Sequence, residues 1–164
     1  MIHILGEKSN SRLTAVQRGD SQPNAIDLRL GKVFAINNSV FELSEEGKKH
    51  RGTVEIVPYA DWYNLGEGTY EVVMENIVNI GPDEAGWVIT RSTLNRNGVF
   101  ITSGLYDSGY NGVMAGAMHV RGGPFRIKKG TRVAQFLLFK AEALTLYNGS
   151  YGLNSEHDKK YTKE

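Results

Sequence analysis

The chain contains no cysteine, four prolines and two tryptophans. The absence of cysteine excludes disulfides, thiolate metal sites and cysteine nucleophiles, and it suits a reducing, cytoplasmic compartment. Charge of one sign is also missing: 19 lysines and arginines stand against 18 aspartates and glutamates, a formal net charge of +1. No net field then draws a nucleic acid or a membrane surface, and an anion has to be met by a locally built site. No apolar run approaches membrane-spanning length, and the opening MIHILGEKSNSRL holds too short an apolar segment for a signal peptide. Internal repeats and low-complexity blocks are absent as well.

What is present is a succession of short β patterns. A length of 164 residues with 40% apolar and 23% charged side chains suits one soluble globular domain. Residues 1–5 read as a short strand and 11–17 as one helical turn in a polar segment. From Ile26 to Ile36 apolar and polar residues alternate as in a half-buried strand, with Gly31 breaking the run. Further strands are expected at 39–43, 53–58, 68–80, 87–90 and 143–147, with an exposed turn over 44–52. Residues 91–97 read as a short helix with Ser92 near its start, and 125–128 with 131–139 as a strand pair turned at Lys129-Gly130. Many short strands with little helix predict an all-β sandwich, jelly roll or barrel.

The stretch VFITSGLYDSGYNGVMAGAMHV, residues 99–120, concentrates the chemistry. Val99, Phe100, Ile101 and Thr102 favour a strand, and Asp107-Ser108-Gly109 favours a turn, so a hairpin is expected. Gly104, Gly109 and Gly112 flank Asp107 and Tyr110, and glycine inside a strand pattern marks a bulge or a ligand's close approach to the backbone. A ligand pocket is one reading of this hairpin. An ordinary solvated turn, which takes Asp, Ser and Gly on conformational grounds alone, is the other. His119 and His157 have no partner spacing for a metal or a catalytic triad and are expected in packing or at the surface.

Five blocks in order resemble the motif set of the trimeric dUTPase and dCTP deaminase superfamily. They are Asn24-Ala-Ile-Asp-Leu-Arg-Leu-Gly31, Arg91-Ser-Thr-Leu-Asn-Arg96, Gly104-Leu-Tyr-Asp-Ser-Gly-Tyr-Asn-Gly112, Arg132-Val-Ala-Gln-Phe136 and Gly149-Ser-Tyr-Gly152. The first is worded more like the deaminase branch, and the third more like dUTPases. The resemblance implies a distorted jelly roll of the β-clip type over residues 1–147, followed by a tail, 148–164, that serves as an active-site lid. It also implies a homotrimer with sites at subunit boundaries, and a pyrimidine deoxynucleoside triphosphate as substrate.

By that resemblance Asp107 orients and deprotonates the water that cuts dUTP into dUMP and pyrophosphate, and Tyr110 lies under the deoxyribose. Backbone groups from Ile101 to Gly104, Thr102 among them, read the base. Arg91, Ser92, Thr93 and Gln135 contact phosphate, with Arg96 in support; Arg132 either contacts phosphate as well or supports the site through a buried ion pair, and Asp27 either holds a metal-bound water or braces a neighbour's hairpin. Mg2+ is held through the triphosphate and waters, with no direct protein ligand. Such chemistry needs charge neutralised and a water aligned more than it needs covalent help from the protein.

Two departures from the family pattern carry weight. Tyr151 stands where dUTPases place a phenylalanine over the base, but the following Ser-Thr-Gly is replaced by Leu153-Asn154-Ser155, so Lys159 and Lys160 are candidate substitutes at the γ-phosphate. The glutamate that shuttles protons in the deaminase branch falls on Ala117. A methyl group moves no protons, so deamination is not expected. A hydrolase of dCTP or of a modified pyrimidine nucleotide, and a binding protein without turnover, remain as alternatives.

Overall fold

The structure is a computed structural model that describes residues 1–163. In chain order its elements are β1 (Arg12–Leu13), β2 (Ile26–Ile36), β3 (Glu42–Ser44), β4 (Gly47–Lys49), β5 (Thr53–Glu55), β6 (Trp62–Leu65), β7 (Gly68–Asn79) and β8 (Glu84–Thr90), followed by α1 (Ser92–Asn95), β9 (Val99–Thr102), β10 (Asn111–Val120), β11 (Phe125–Lys128), β12 (Arg132–Lys140) and α2 (Lys159–Thr162). The main sheet runs β8-β12-β2-β7-β10-β9, with β1 added to β7 and β5 to β2, and every pair in it is antiparallel. Its two ends meet. The Thr90 hydroxyl donates to the Ile101 carbonyl (3.1 Å) and accepts from the Ile101 N–H (2.7 Å), while Gly86 and Tyr106 exchange backbone hydrogen bonds at 2.8 Å. The result is the all-β, nearly closed sheet of a distorted jelly roll.

Central placement explains why β2 departs from simple alternation. It lies between β12 and β7, so Ile26, Leu28, Leu30 and Val33 are fully buried, each such side chain contributing on the order of 1.5–3 kcal/mol. Gly31 does not end the strand. It sits at a register shift between Leu30 and Lys32, where a Cβ would lie 2.9 Å from the Val73 carbonyl oxygen.

Several expected elements take other forms. Residues 1–5 form no strand; Ile2 makes a single bridge to Leu138. The helical turn expected at 11–17 is replaced by β1, because the edge of β7 offers Ile77, whose carbonyl and N–H bond Thr14. Residues 39–52 contain the exposed β3–β4 hairpin, shifted from the expected strand and occupying part of the expected turn. β11 pairs with β6 and not with β12, whose two edges are already taken by β2 and β8. Residues 143–147 are irregular, with the Tyr147 N–H held by the Ser108 carbonyl at 2.8 Å. No helix among the described residues is long and apolar enough to cross a membrane.

Candidate active site

β9 and β10 pair from Thr102↔Ala117 to Val99↔Val120, and residues 103–110 connect them. This connection is pinned on several sides. Ser108 donates its hydroxyl to the Glu84 carbonyl (2.6 Å), the Gly109 N–H donates to the Ile80 carbonyl (3.0 Å), and the Ile80 N–H returns to the Tyr110 carbonyl (2.8 Å). Gly109 has φ +84°, a conformation that suits glycine. Asp107 is exposed on this fixed frame, and its carbonyl accepts the Tyr110 N–H (3.0 Å). Tyr110 is buried, with its ring 5.3 Å from both Tyr106 and Tyr147 and its hydroxyl donating to the Val113 carbonyl at 2.6 Å. Burial first, then the nearby Asp158 and Tyr147, pushes the Tyr110 hydroxyl well above the usual phenol range, so it stays a proton donor.

Beside the hairpin lies a cavity of about 630 Å³, whose lining includes Gly104, Tyr110, Ala117, Glu71 and Tyr151. The tail of the same chain covers it. The Leu153 N–H donates to the Asn111 carbonyl (3.0 Å), and the Gly152 N–H donates to Asp158 Oδ2 (2.7 Å). Gly112 permits this approach, since a Cβ there would stand 2.7 Å from Gly152 Cα. Tyr161 of α2 anchors the far end, edge-on to Phe34 at 5.7 Å and buried with Val73 and Val113. The tail is therefore docked through Tyr161.

Two imidazoles, one of them in this tail, meet where it docks. His50 and His157 lie 4.4 Å apart between ring centroids, and His157 Nδ1 is 2.9 Å from Asp158 Oδ1. Burial, followed by His157, Lys48 and Lys160, holds His50 below the usual imidazole range against the opposing pull of Glu71. Lys48 Nζ stands 3.2 Å from the Tyr151 hydroxyl and 4.5 Å above its ring centroid.

A second cluster forms where β2, β8 and β12 meet. Asp27 is fully buried and accepts from Gln135 Nε2 (3.0 Å), Arg132 (3.2 Å) and Gln22 Nε2 (3.2 Å), with Arg91 Nε at 3.4 Å. Arg132 also donates to the Gly19 carbonyl (2.8 Å) and Arg91 to the Arg132 carbonyl (3.3 Å). Behind them Asp20 grips Arg29 at 2.6 and 3.1 Å. Burial alone would raise the Asp20 carboxyl, but the hydrogen bonds from Arg29 and the Gln17 N–H overcome it and hold it low. Ser92 and Thr93 are exposed on the single turn of α1, and Arg96 is exposed at its end.

The structure thus divides the expected residues between two places. Gly104, Tyr110 and Tyr151 share the hairpin cavity, whereas Arg91, Ser92, Thr93, Arg132 and Gln135 line none of it. Thr102 also stays outside, its hydroxyl 3.2 Å from Nε2 of His119, which stacks on Phe100 at 4.8 Å. Lys159 pairs with Glu156 at the surface, and Lys160 pairs with Glu71 at the cavity.

Residues 2–141 match the family described as dCTP deaminase-like. The chain belongs to the dCTP deaminase-like family. Its relatives include a probable deoxyuridine 5'-triphosphate nucleotidohydrolase of Methanosarcina barkeri, 34% identical over 136 residues that cover 79% of each chain. A protein of the same name from Methanopyrus kandleri is 31% identical over 133 residues, 80% of this chain and 86% of that one. Among solved structures, the 2'-deoxycytidine 5'-triphosphate deaminase of Agrobacterium tumefaciens superposes with a TM-score of 0.62 at 19% identity, over 78% of this chain. The match spans 42% of that deaminase, less than half its length. The D95N dUTPase of S. aureus phage phi11, whose structure records a structural Mg(II) ion, gives a TM-score of 0.55 at 12% identity, over 88% of this chain and 99% of that one.

Ala117, the position on which the deaminase branch's glutamate is expected to fall, sits in the cavity wall. Glu71, His50, Lys48, Asp158 and Tyr161 line the same cavity and belong to none of the five sequence blocks. Only Glu71 left a signal, as a charged residue within the strongest β pattern. The others become neighbours through the β3–β4 hairpin and the docked tail, which no local pattern announces.

Proposed function

We propose that the protein hydrolyses dUTP to dUMP and pyrophosphate as a homotrimer, each site completed by a neighbouring copy. The observation that supports this most is the hairpin cavity lined by Gly104, Tyr106, Tyr110 and Tyr151, with Asp107 exposed on the same connection but outside the lining, in a chain whose relatives are named probable dUTP nucleotidohydrolases. Base and sugar enter the cavity, with Tyr110 against the deoxyribose, where an added ribose hydroxyl would meet the ring. Asp107, free at its carboxylate but carried on a pinned loop, aims a water at the α-phosphorus and takes its proton. The water oxygen bonds the α-phosphorus as the bond from that phosphorus to the bridging oxygen breaks, and pyrophosphate leaves.

The phosphates need cations, and the cavity's own lining does not include the arginine cluster. Arg91, Ser92, Thr93 and Gln135 of an adjacent copy supply those contacts, with Asp27 and Arg132 holding the two long side chains in place and Arg96 at the rim. The tail, residues 148–164, acts as the lid, its last residue, Glu164, lying outside the described residues. Both Asp27 oxygens are already engaged, and among the described residues no three His, Asp or Glu side chains gather as a metal site. These side chains fit a magnesium ion carried by the triphosphate and its waters, which would neutralise phosphate charge. A cytoplasmic location accompanies this reading.

Pyrophosphate release measured across dUTP, dCTP, dTTP and UTP tests the proposal. Release from dUTP is expected; release from none of them would replace the hydrolase with a nucleotide-binding protein. Ammonia release from dCTP would overturn the argument from Ala117. Light scattering should give three times the 18.2 kDa chain mass, and a single-chain mass would remove the shared site.

A further inference from the structure

The cavity holds a carboxylate that no motif points to. Glu71 on β7 and Ala117 on β10 are direct cross-strand partners, so their side chains leave the sheet on one face with Cβ atoms about 4.5–5.5 Å apart. Both line the cavity. The wall around them is small and apolar at Ala115, Gly116 and Ala117. Among the polar side chains there, Asp158 is occupied by Gly152 and His157, and Lys48 by Tyr151. Glu71 faces the cavity with its side chain 20% exposed and Lys160 Nζ 2.7 Å from Oε1 as counter-charge, and a carboxylate with two oxygens keeps acceptor sites beyond the one that the ammonium meets. A ligand N–H in the cavity can therefore be met by this carboxylate without displacing its counter-ion.

We propose that Glu71 reads the base by accepting a hydrogen bond from an N–H on the pairing edge of the pyrimidine. This rests on the reading of the cavity as a pyrimidine nucleotide pocket. The donor is the ring N3–H of uracil or the exocyclic amino group of cytosine. One fixed acceptor does not serve both bases. Uracil pairs its N3–H with a carbonyl at C4, and cytosine pairs its C4 amino group with a lone pair at N3. Whichever donor Glu71 meets, the other base sets an acceptor against the carboxylate. Glu71 is thus a specificity-determining residue, and it stands across the sheet from the position that Ala117 leaves without a polar group.

The test compares kcat/KM for dUTP and dCTP in the wild-type protein and in Glu71→Gln. The wild type should separate the two substrates by about 10- to 100-fold, the range supplied by a hydrogen bond to a charged group. Glutamine presents an oxygen or an NH2, so E71Q should bring the ratio to within about threefold of unity. An unchanged ratio in E71Q overturns the proposal. Lys160→Met breaks the ion pair but keeps the carboxylate, and should alter KM for both substrates by one factor. If K160M collapses the ratio as E71Q does, Glu71 acts only through the tail and the proposal fails.

Analogues need no variant. Refusal of 3-methyl-dUTP by the wild type identifies the ring N–H as the donor, refusal of N4,N4-dimethyl-dCTP identifies the amino group, and full acceptance of both refutes base reading by Glu71. If neither nucleotide is turned over, the hydrolase reading has failed separately. The same comparison is then made by calorimetry with dUMP and dCMP, where equal binding ratios in wild type and E71Q overturn the proposal.

Discussion

Replacing Asp27 with asparagine removes one charge from the centre of the arginine cluster while keeping its shape. The carboxylate is fully buried and is met by Gln135 at 3.0 Å, Arg132 and Gln22 at 3.2 Å, and Arg91 at 3.4 Å. Breaking a buried ion pair from one side costs about 3–5 kcal/mol, because the remaining charge is left uncompensated. Here the two guanidinium side chains are 31% and 35% exposed, so water recovers part of the loss and about 2–3 kcal/mol is expected. For a chain of this length each kcal/mol moves Tm by about 2–4 °C, so D27N should melt about 4–12 °C lower at matched protein concentration. Calorimetry measures that shift. Steady-state kinetics should show a raised KM, since Arg91 and Gln135 lose the group that aims them. A Tm within about 1 °C of wild type together with an unchanged KM would refute the reasoning.

Three further outcomes follow from the same geometry. Tyr161→Ala removes the anchor of the tail, so amide exchange at Gly152 and Leu153 should quicken by about tenfold or more while the sheet keeps its protection; unchanged exchange would place the anchor elsewhere. His50 is held below its ordinary value in the docked protein, so it binds the proton more readily once the tail is undocked. Docking is then complete above about pH 6.5 and is lost as the pH falls through the lowered value of His50, which proteolysis of the tail between pH 8 and 5 will register; tighter docking in acid would contradict it. Chelation of magnesium should abolish turnover yet leave the Tm of the nucleotide-free protein unchanged, whereas a fall in Tm would show a metal held by the protein itself.

The elements most legible in the sequence are those whose periodicity and burial agree. β7, bounded by glycines and Gly81-Pro82, and the β9–β10 hairpin with its Asp107-Ser108-Gly109 turn lie close to where local pattern places them. β11 pairs away from the neighbour that its turn suggests because strand pairing is a long-range choice: its apolar residues suit either neighbour, and both edges of β12 are occupied, by β2 and β8. The tail is polar in composition and carries no periodic pattern, yet Tyr161 finds a groove made by Phe34, Val73 and Val113 from three separate strands. The same limit applies to the site. Asp27, Arg91, Arg132 and Gln135 are recognisable one by one through the motifs, but their convergence on one buried carboxylate depends on β2, β8 and β12 lying side by side. Glu71 faces Ala117 only once the register of β7 and β10 is known.

The most direct measurement is pyrophosphate release from dUTP by the wild type and by Asp107→Asn, paired with the affinity of each for a non-hydrolysable dUTP analogue. The account predicts release by the wild type, and in D107N an affinity within about threefold of wild type with turnover reduced by about 100-fold or more. Turnover by D107N at the wild-type rate would contradict the assignment of Asp107 as the group that aims the water.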